Sequence, residues 1–163
     1  MDKFLGVARV WHSLALLGMA ALLASCQSAD LGIETGERSG ASREATALVA
    51  KARSSSGLAA LTPDSTLERA AVRQAGYMAA SGRMEHTALR GKDFASRIKA
   101  DGIAAPAAEN LAHGRFDVAG VVDIWMNSPP HRRNMLDGRF TKFGLGHAQG
   151  RDGRRYWTMV LGK

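Results

Sequence analysis

The sequence predicts an α+β domain in which helices cover a small antiparallel sheet. Three observations carry that expectation. Apolar residues recur at helical spacing through most of the chain after Arg43, apolar residues alternate with glycines near its end, and alternating βαβ units are absent.

The first helical pattern lies between Thr46 and Ala52, where Ala47, Leu48 and Val49 begin it, and it breaks at Ser54-Ser55-Ser56-Gly57. Thr62-Pro63-Asp64 then supplies a turn and a helix start. Leu67, Ala70, Ala71, Ala75, Met78 and Ala79 follow at helical spacing, so a second helix extends to about Ser81, with Gly82 as its stop signal. Asp93 caps a short helix through Phe94, Arg97 and Ile98 that Gly102 ends. Asp117 caps a longer one whose Val118, Val121, Val122 and Trp125 form an apolar stripe, and Pro129 and Pro130 close it. Toward the C-terminus, Phe143, Leu145 and His147 alternate with Lys142, Gly144 and Gly146. A glycine-rich turn around Asp152-Gly153 separates them from the β-prone run Tyr156 to Leu161. Two antiparallel strands are expected there, with Ala108 to Ala112 as a third.

The chain has 163 residues, 45% of them hydrophobic and 23% charged, which suits a single core held by packing. Cys26 is the only cysteine, so neither an intramolecular disulfide nor a cysteine-rich zinc module is possible. The formal charge is +7, but its arginines and lysines are scattered over helices, turns and termini. That distribution favours an anionic envelope surface over nucleic acid as the partner, and a monomer is expected.

The N-terminal segment carries Lys3 and Arg9, then an apolar stretch from Leu14 to Leu23, then Ala24 and Ser25. This is the layout of a signal peptide over residues 1–25, and its apolar run is about half of the ~20 residues that cross a bilayer. Leu23-Ala24-Ser25-Cys26 resembles the lipobox of bacterial lipoproteins, in which the cysteine becomes the lipidated first residue. Acyl chains on Cys26 would hold the protein on its membrane. Gln27 stands where an Asp would be a retention signal in such lipoproteins, which points to an outer membrane if the cell has one. Residues 27–42 turn to Ser, Gly, Thr and charge, and read as a flexible tether of roughly 20 Å end to end. The folded domain is then expected over residues 43–163.

Four histidines remain beyond the signal segment. His86 sits in the Met84-Glu85-His86-Thr87 loop after a helix, and His131 follows Ser128-Pro129-Pro130, where the prolines present the ring from a turn. His113 and His147 suit strand faces, although His147, flanked by glycine, could also line a cleft. Trp125 and Trp157 suit the core or a cleft wall. Ser128 lies three residues before His131, yet no Gly-x-Ser-x-Gly elbow exists, and a cap or turn role fits that serine better than nucleophilic catalysis.

An ordered set of motifs resembles bacterial members of the CAP (SCP-like) superfamily from about Ala45 to the end. The set is Gly57-Leu58, His86-Thr87, Phe94 with Arg97, Gly102, Ala108-Glu109-Asn110-Leu111, Trp125-Met126-Asn127-Ser128, His131-Arg132-Arg133-Asn134, Gly144-Leu145-Gly146 and Tyr156-Trp157-Thr158. The resemblance implies an α-β-α sandwich with a cleft that gathers two histidines and acidic residues. His86 and His131 match the two family histidines, and Glu109 matches the glutamate of the family's Gly-Glu-Asn motif. Ser128 stands where a second glutamate would be.

Two imidazoles and one carboxylate, from His86, Glu109 and His131, form a chemically sensible zinc set with water in the fourth position. The same groups without metal form a hydrogen-bonded knot, with Asn110 satisfying backbone groups and Ser128 at the cleft. Three functions therefore stand open: a module binding a metal, a lipid headgroup or a cell-wall fragment; a metal-assisted hydrolase of an envelope peptide or glycan; and a structural envelope protein.

Overall fold

A computed structural model describes residues 37–163. The signal peptide, Cys26 and the first part of the tether lie outside these residues. Ten elements follow in order: β1 (Arg38–Gly40), α1 (Ser42–Ser54), β2 (Thr62–Pro63), α2 (Ser65–Ser81), α3 (Phe94–Ala100), β3 (Ala108–Gly114), α4 (Val118–Asn127), α5 (Pro129–Met135), β4 (Lys142–Gln149) and β5 (Arg155–Gly162). The strands form one sheet in the order β1-β4-β5-β3, with β2 added parallel to β4 and the other pairs antiparallel.

Strand alternation sorts the side chains into two layers. Phe143, Leu145, Trp157, Met159 and Leu161 face the larger core, where α1 and α4 contribute Ala45, Val49, Val121 and Trp125, and α5 contributes Met135. The opposite face carries Tyr156 and Val160, packed under Ala70, Ala71, Ala75, Met78 and Ala79 of α2, with Phe94 of α3 beside them. The result is the α-β-α sandwich. Gly144 and Gly146 explain how closely α2 lies on the sheet. A Cβ at Gly144 would stand 2.1 Å from the Leu67 and Glu68 backbone, and one at Gly146 would stand 2.6 Å from the Val72 nitrogen.

The cap signals act as the sequence indicates. The Asp64 side chain accepts the Thr66 and Leu67 N–H groups, Asp93 accepts that of Ser96, and Asp117 accepts that of Gly120. Gly82 ends α2 with a left-handed φ of 69°.

Two expectations are corrected. Residues 38–42 belong to the domain and not to a flexible tether. Arg38–Gly40 pairs with β4, the Ala41 N–H donates to the Leu145 carbonyl at 2.8 Å, and the Ser42 hydroxyl accepts the Leu145 N–H at 2.8 Å. Small polar residues read as a linker by composition, but here they join a sheet edge, and Gly40 leaves room for the Glu68 carboxylate that accepts the Ser42 N–H at 3.0 Å. The second correction concerns Pro129-Pro130. The pair does follow the end of α4, but it also opens α5, because proline at the first helical positions gives up N–H groups that would have no helical partner. His131 is therefore presented by a helix and not by a turn.

Candidate functional site

β3 lies at an edge of the sheet, and its successive residues Glu109 and Asn110 point to opposite faces. Each ties down one of the two histidine-bearing segments. On the α3 side, the Glu109 side chain is 1% exposed. Its Oε2 accepts Arg97 Nη1 at 2.9 Å, and its Oε1 accepts Arg97 Nη2 at 2.9 Å and sits 2.8 Å from His86 Nδ1. Arg97 projects from α3, itself positioned by the Asp93 cap. Two more of its donors go to the Lys92 and His86 carbonyls, at 2.9 and 3.0 Å. The buried Gln74 of α2 donates to the Glu85 carbonyl at 2.8 Å and fixes the loop from below. The His86 ring itself is 59% exposed.

On the other face, Asn110 Nδ2 donates to the His131 carbonyl at 3.1 Å, and Asn134 Nδ2 donates to Asn110 Oδ1 at 2.9 Å. Two residues of α5 are thereby locked to β3. The His131 Nδ1 lies 2.9 Å from the Ser128 hydroxyl, which turns away from the capping bond a serine at that position usually makes. Burial pushes the His131 pKa below its ordinary value, and the charge of His86 lowers it further.

This geometry fixes chemical roles. A carboxylate held bidentately by a guanidinium accepts hydrogen bonds and donates none, so the proton between Glu109 and His86 sits on Nδ1 and leaves Nε2 facing outward. The pattern matches the carboxylate–histidine arrangement that orients metal-ligating imidazoles from behind. Glu109 itself does not fit as a third metal ligand, because both its oxygens are engaged and a guanidinium lies against them. Among the described residues no group of three or more His, Cys, Asp or Glu side chains is arranged to hold a metal ion.

Of the residues expected at the site, His86 and Glu109 meet directly, Ser128 meets the His131 ring, and Asn110 meets the His131 backbone. His113 and His147 stand elsewhere. His113 packs edge-on against Tyr156, and His147 lies 4.7 Å from the Trp157 ring, where burial and then Arg155 lower its pKa. His147 is therefore a packed strand residue. Trp125 is buried and donates to the Leu111 carbonyl at 3.0 Å. The residues whose roles sequence reasoning missed are Arg97 and Asn134. Arg97 shares a helical face with Phe94, three residues earlier, a position where a buried arginine signals a buried acid.

The fold and site define a member of an α-β-α class in which two histidine-bearing segments are tied to one edge strand. The sequence matches the profile of the cysteine-rich secretory protein family, CAP, over residues 46–161, and the chain belongs to this family. The uncharacterized protein YkwD of Bacillus subtilis (strain 168) is 33% identical over 113 residues, which is 68% of this chain and 43% of that protein. The chain thus spans less than half the length of this relative. An outer surface protein from Borrelia burgdorferi is similar at a TM-score of 0.68 and 26% identity, over 78% of this chain and 98% of that one. An extracellular protein containing an SCP domain from Bacillus anthracis str. Ames shares the fold at a TM-score of 0.65 and 23% identity, over 74% of this chain and 39% of that one. These two similar proteins are thus an outer-surface and an extracellular protein, and no helix among the described residues is long and apolar enough to cross a membrane.

Proposed function

We propose that the chain is an envelope-anchored CAP-domain lipoprotein, held by lipid on Cys26, whose cleft between His86 and His131 binds a lipid headgroup or a cell-wall fragment. The observation that carries this reading is the full engagement of Glu109 by Arg97 and His86. A hydrolase needs a base within reach of the proton it removes, and this carboxylate is buried and occupied. What the cleft offers instead is two imidazole edges, each oriented through its Nδ1 by a neighbouring side chain. Such groups donate to and accept from hydroxyls and phosphates.

A second reading follows from the same hydrogen bond. With His86 oriented by a carboxylate behind it, the two imidazoles suit a divalent ion such as zinc, whose other ligands would come from water or a bound molecule. The protein's part in that reading is to hold the two rings and to keep the Glu109 carboxylate behind one of them.

Calorimetric titration of the mature chain and of a His86→Ala, His131→Ala double variant tests both. The titrants are zinc, phosphatidylglycerol micelles and soluble cell-wall fragments, and the fragments are assayed for cleavage. The binding reading expects saturable heat with a lipid or a fragment, lost in the double variant, and no cleavage product. Binding that survives the double substitution contradicts it, and so does a product whose formation requires Glu109. Zinc heat lost in the double variant supports the second reading.

A further inference from the structure

The end of the sheet at which the chain enters the domain is basic. β1 runs antiparallel to β4 with Arg38 opposite Ala148, and the Gln149 N–H donates to the Glu37 carbonyl at 3.0 Å. The backbone at Glu37 therefore lies beside the turn between β4 and β5. The C-terminal end of β3 reaches the same place, with Gly114 opposite Arg155 and Arg115 next in the chain. Arg38, Arg115, Arg151, Arg154 and Arg155, scattered in sequence, gather here and are all exposed. Among the described residues four carboxylates stand near them, Glu44 of α1 being one that acts, with Glu37 and Arg155, on His147. Asp117 is occupied as the α4 cap, Asp152 accepts the Arg154 N–H and lies 3.7 Å from its guanidinium, and Glu37 precedes β1. Arg115 and Arg151 have no ion-pair partner among the described residues. Arg115 and Arg155 also line, with the capping Asp117, a shallow polar hollow of about 340 Å³.

We propose that this basic end is a docking surface that seats the domain on the anionic lipids of the membrane carrying Cys26. The proposal rests on the lipid-anchor reading above. Eleven peptide steps separate Cys26 from Glu37 and span at most about 40 Å, so an anchored chain keeps this end of the domain close to the bilayer. Basic side chains are attracted to an anionic leaflet within about one Debye length, ~10 Å at 0.1 M salt. A scattered arginine face binds weakly by itself, but a short covalent link raises its effective concentration to the millimolar range. Glu109 lies five residues before Gly114 along β3, about 17 Å from the docked end, so docking in this orientation holds the Glu109–His86 pair above the headgroups.

The test uses the mature lipidated chain, reconstituted in vesicles of phosphatidylglycerol and phosphatidylcholine at about 3:7 with a quencher on some headgroups. With Cys26 acylated, an introduced cysteine is the only thiol for a fluorophore. Gln149→Cys reports the basic end, and Thr141→Cys reports the far end of β4, about 26 Å away, both at exposed positions. The expected result is strong quenching at 149 and weak quenching at 141. The quenching at 149 should be lost in about 0.5 M salt, in pure phosphatidylcholine, and in an Arg115→Glu, Arg151→Glu variant of unchanged melting temperature. Equal quenching at both positions, or quenching at 149 indifferent to salt and lipid charge, overturns the docking. If the protein fails to float with vesicles and Cys26 reacts as a free thiol, the anchor falls and the docking with it. Flotation with indifferent labels removes the docking alone.

Discussion

Arg97 and Glu109 form an ion pair that is almost fully removed from water, at 5% and 1% side-chain exposure. Such pairs add little net stability over an apolar alternative, but losing one partner strands a buried charge at a cost of about 3–5 kcal/mol. Its use here is placement: the pair fixes the carboxylate that aims His86. The histidines away from that pair give the protein a pH response. Burial lowers the pKa of both His131 and His147 below the ordinary 6.5, so the unfolded chain binds more protons than the folded one just below that pH. Stability from these two groups is therefore complete above pH 6.5 and is lost as pH falls through the range between 6.5 and their folded values. Urea unfolding midpoints should drop between about pH 7.5 and pH 5.5, and the drop should shrink in His147→Gln. An unchanged pH dependence in that variant would assign the effect to other groups. Among single residues the sequence was partly legible. His86, Glu109 and His131 stood out, as did a serine near His131, but the partner of Glu109 did not. An arginine three residues from a phenylalanine looks like any amphipathic helix position until the strand that buries it is placed.

Elements follow the sequence where local chemistry decides them. α2, α3 and α4 begin at their aspartate caps, and α2 and α3 are followed by the predicted glycines, because capping and left-handed turns are settled by neighbours in the chain. β1 and β2 were not legible. They are three and two residues long, and their pairing with β4 is set by residues 80 to 110 positions away. Pro129-Pro130 reads equally as a stop and as a start, and the structure uses it as both boundaries. The glycines of β4 are read correctly as strand residues, while their reason, contact with α2, is tertiary. Gly144→Ala would drive a methyl into the α2 backbone, which has no flexible side chain to yield. It should destabilise the domain by about 1–3 kcal/mol, measured by equilibrium denaturation. Ser42→Ala removes the hydroxyl that accepts the Leu145 N–H and should cost about 1–3 kcal/mol, although the residue lies where composition suggested a tether.

For the whole molecule, class and layer order were legible from the succession of helical and strand patterns, and the motif order supplied the family. The joining of the two histidine-bearing segments was not, since 45 residues separate His86 from His131 and only the closure of β3 against β5, with α3 and α5 on either face, ties both segments to one strand. The charge was misleading as a sum and informative once folded, because scattered arginines meet at one end of the sheet. The anchor is tested on the intact chain. In cells, Cys26→Ser should move the protein from the membrane fraction to the soluble exported fraction, and persistence in membranes would refute lipidation.

On the proposed reading Glu109 holds the site while the imidazoles serve it, and equilibrium urea unfolding of Glu109→Gln beside His86→Ala separates those two roles. The expected loss is about 3–5 kcal/mol for Glu109→Gln, which strands Arg97, and less than about 1 kcal/mol for His86→Ala, whose ring is mostly in solvent. Equal losses would make His86 a structural member of the same buried network and contradict its assignment to the binding cleft.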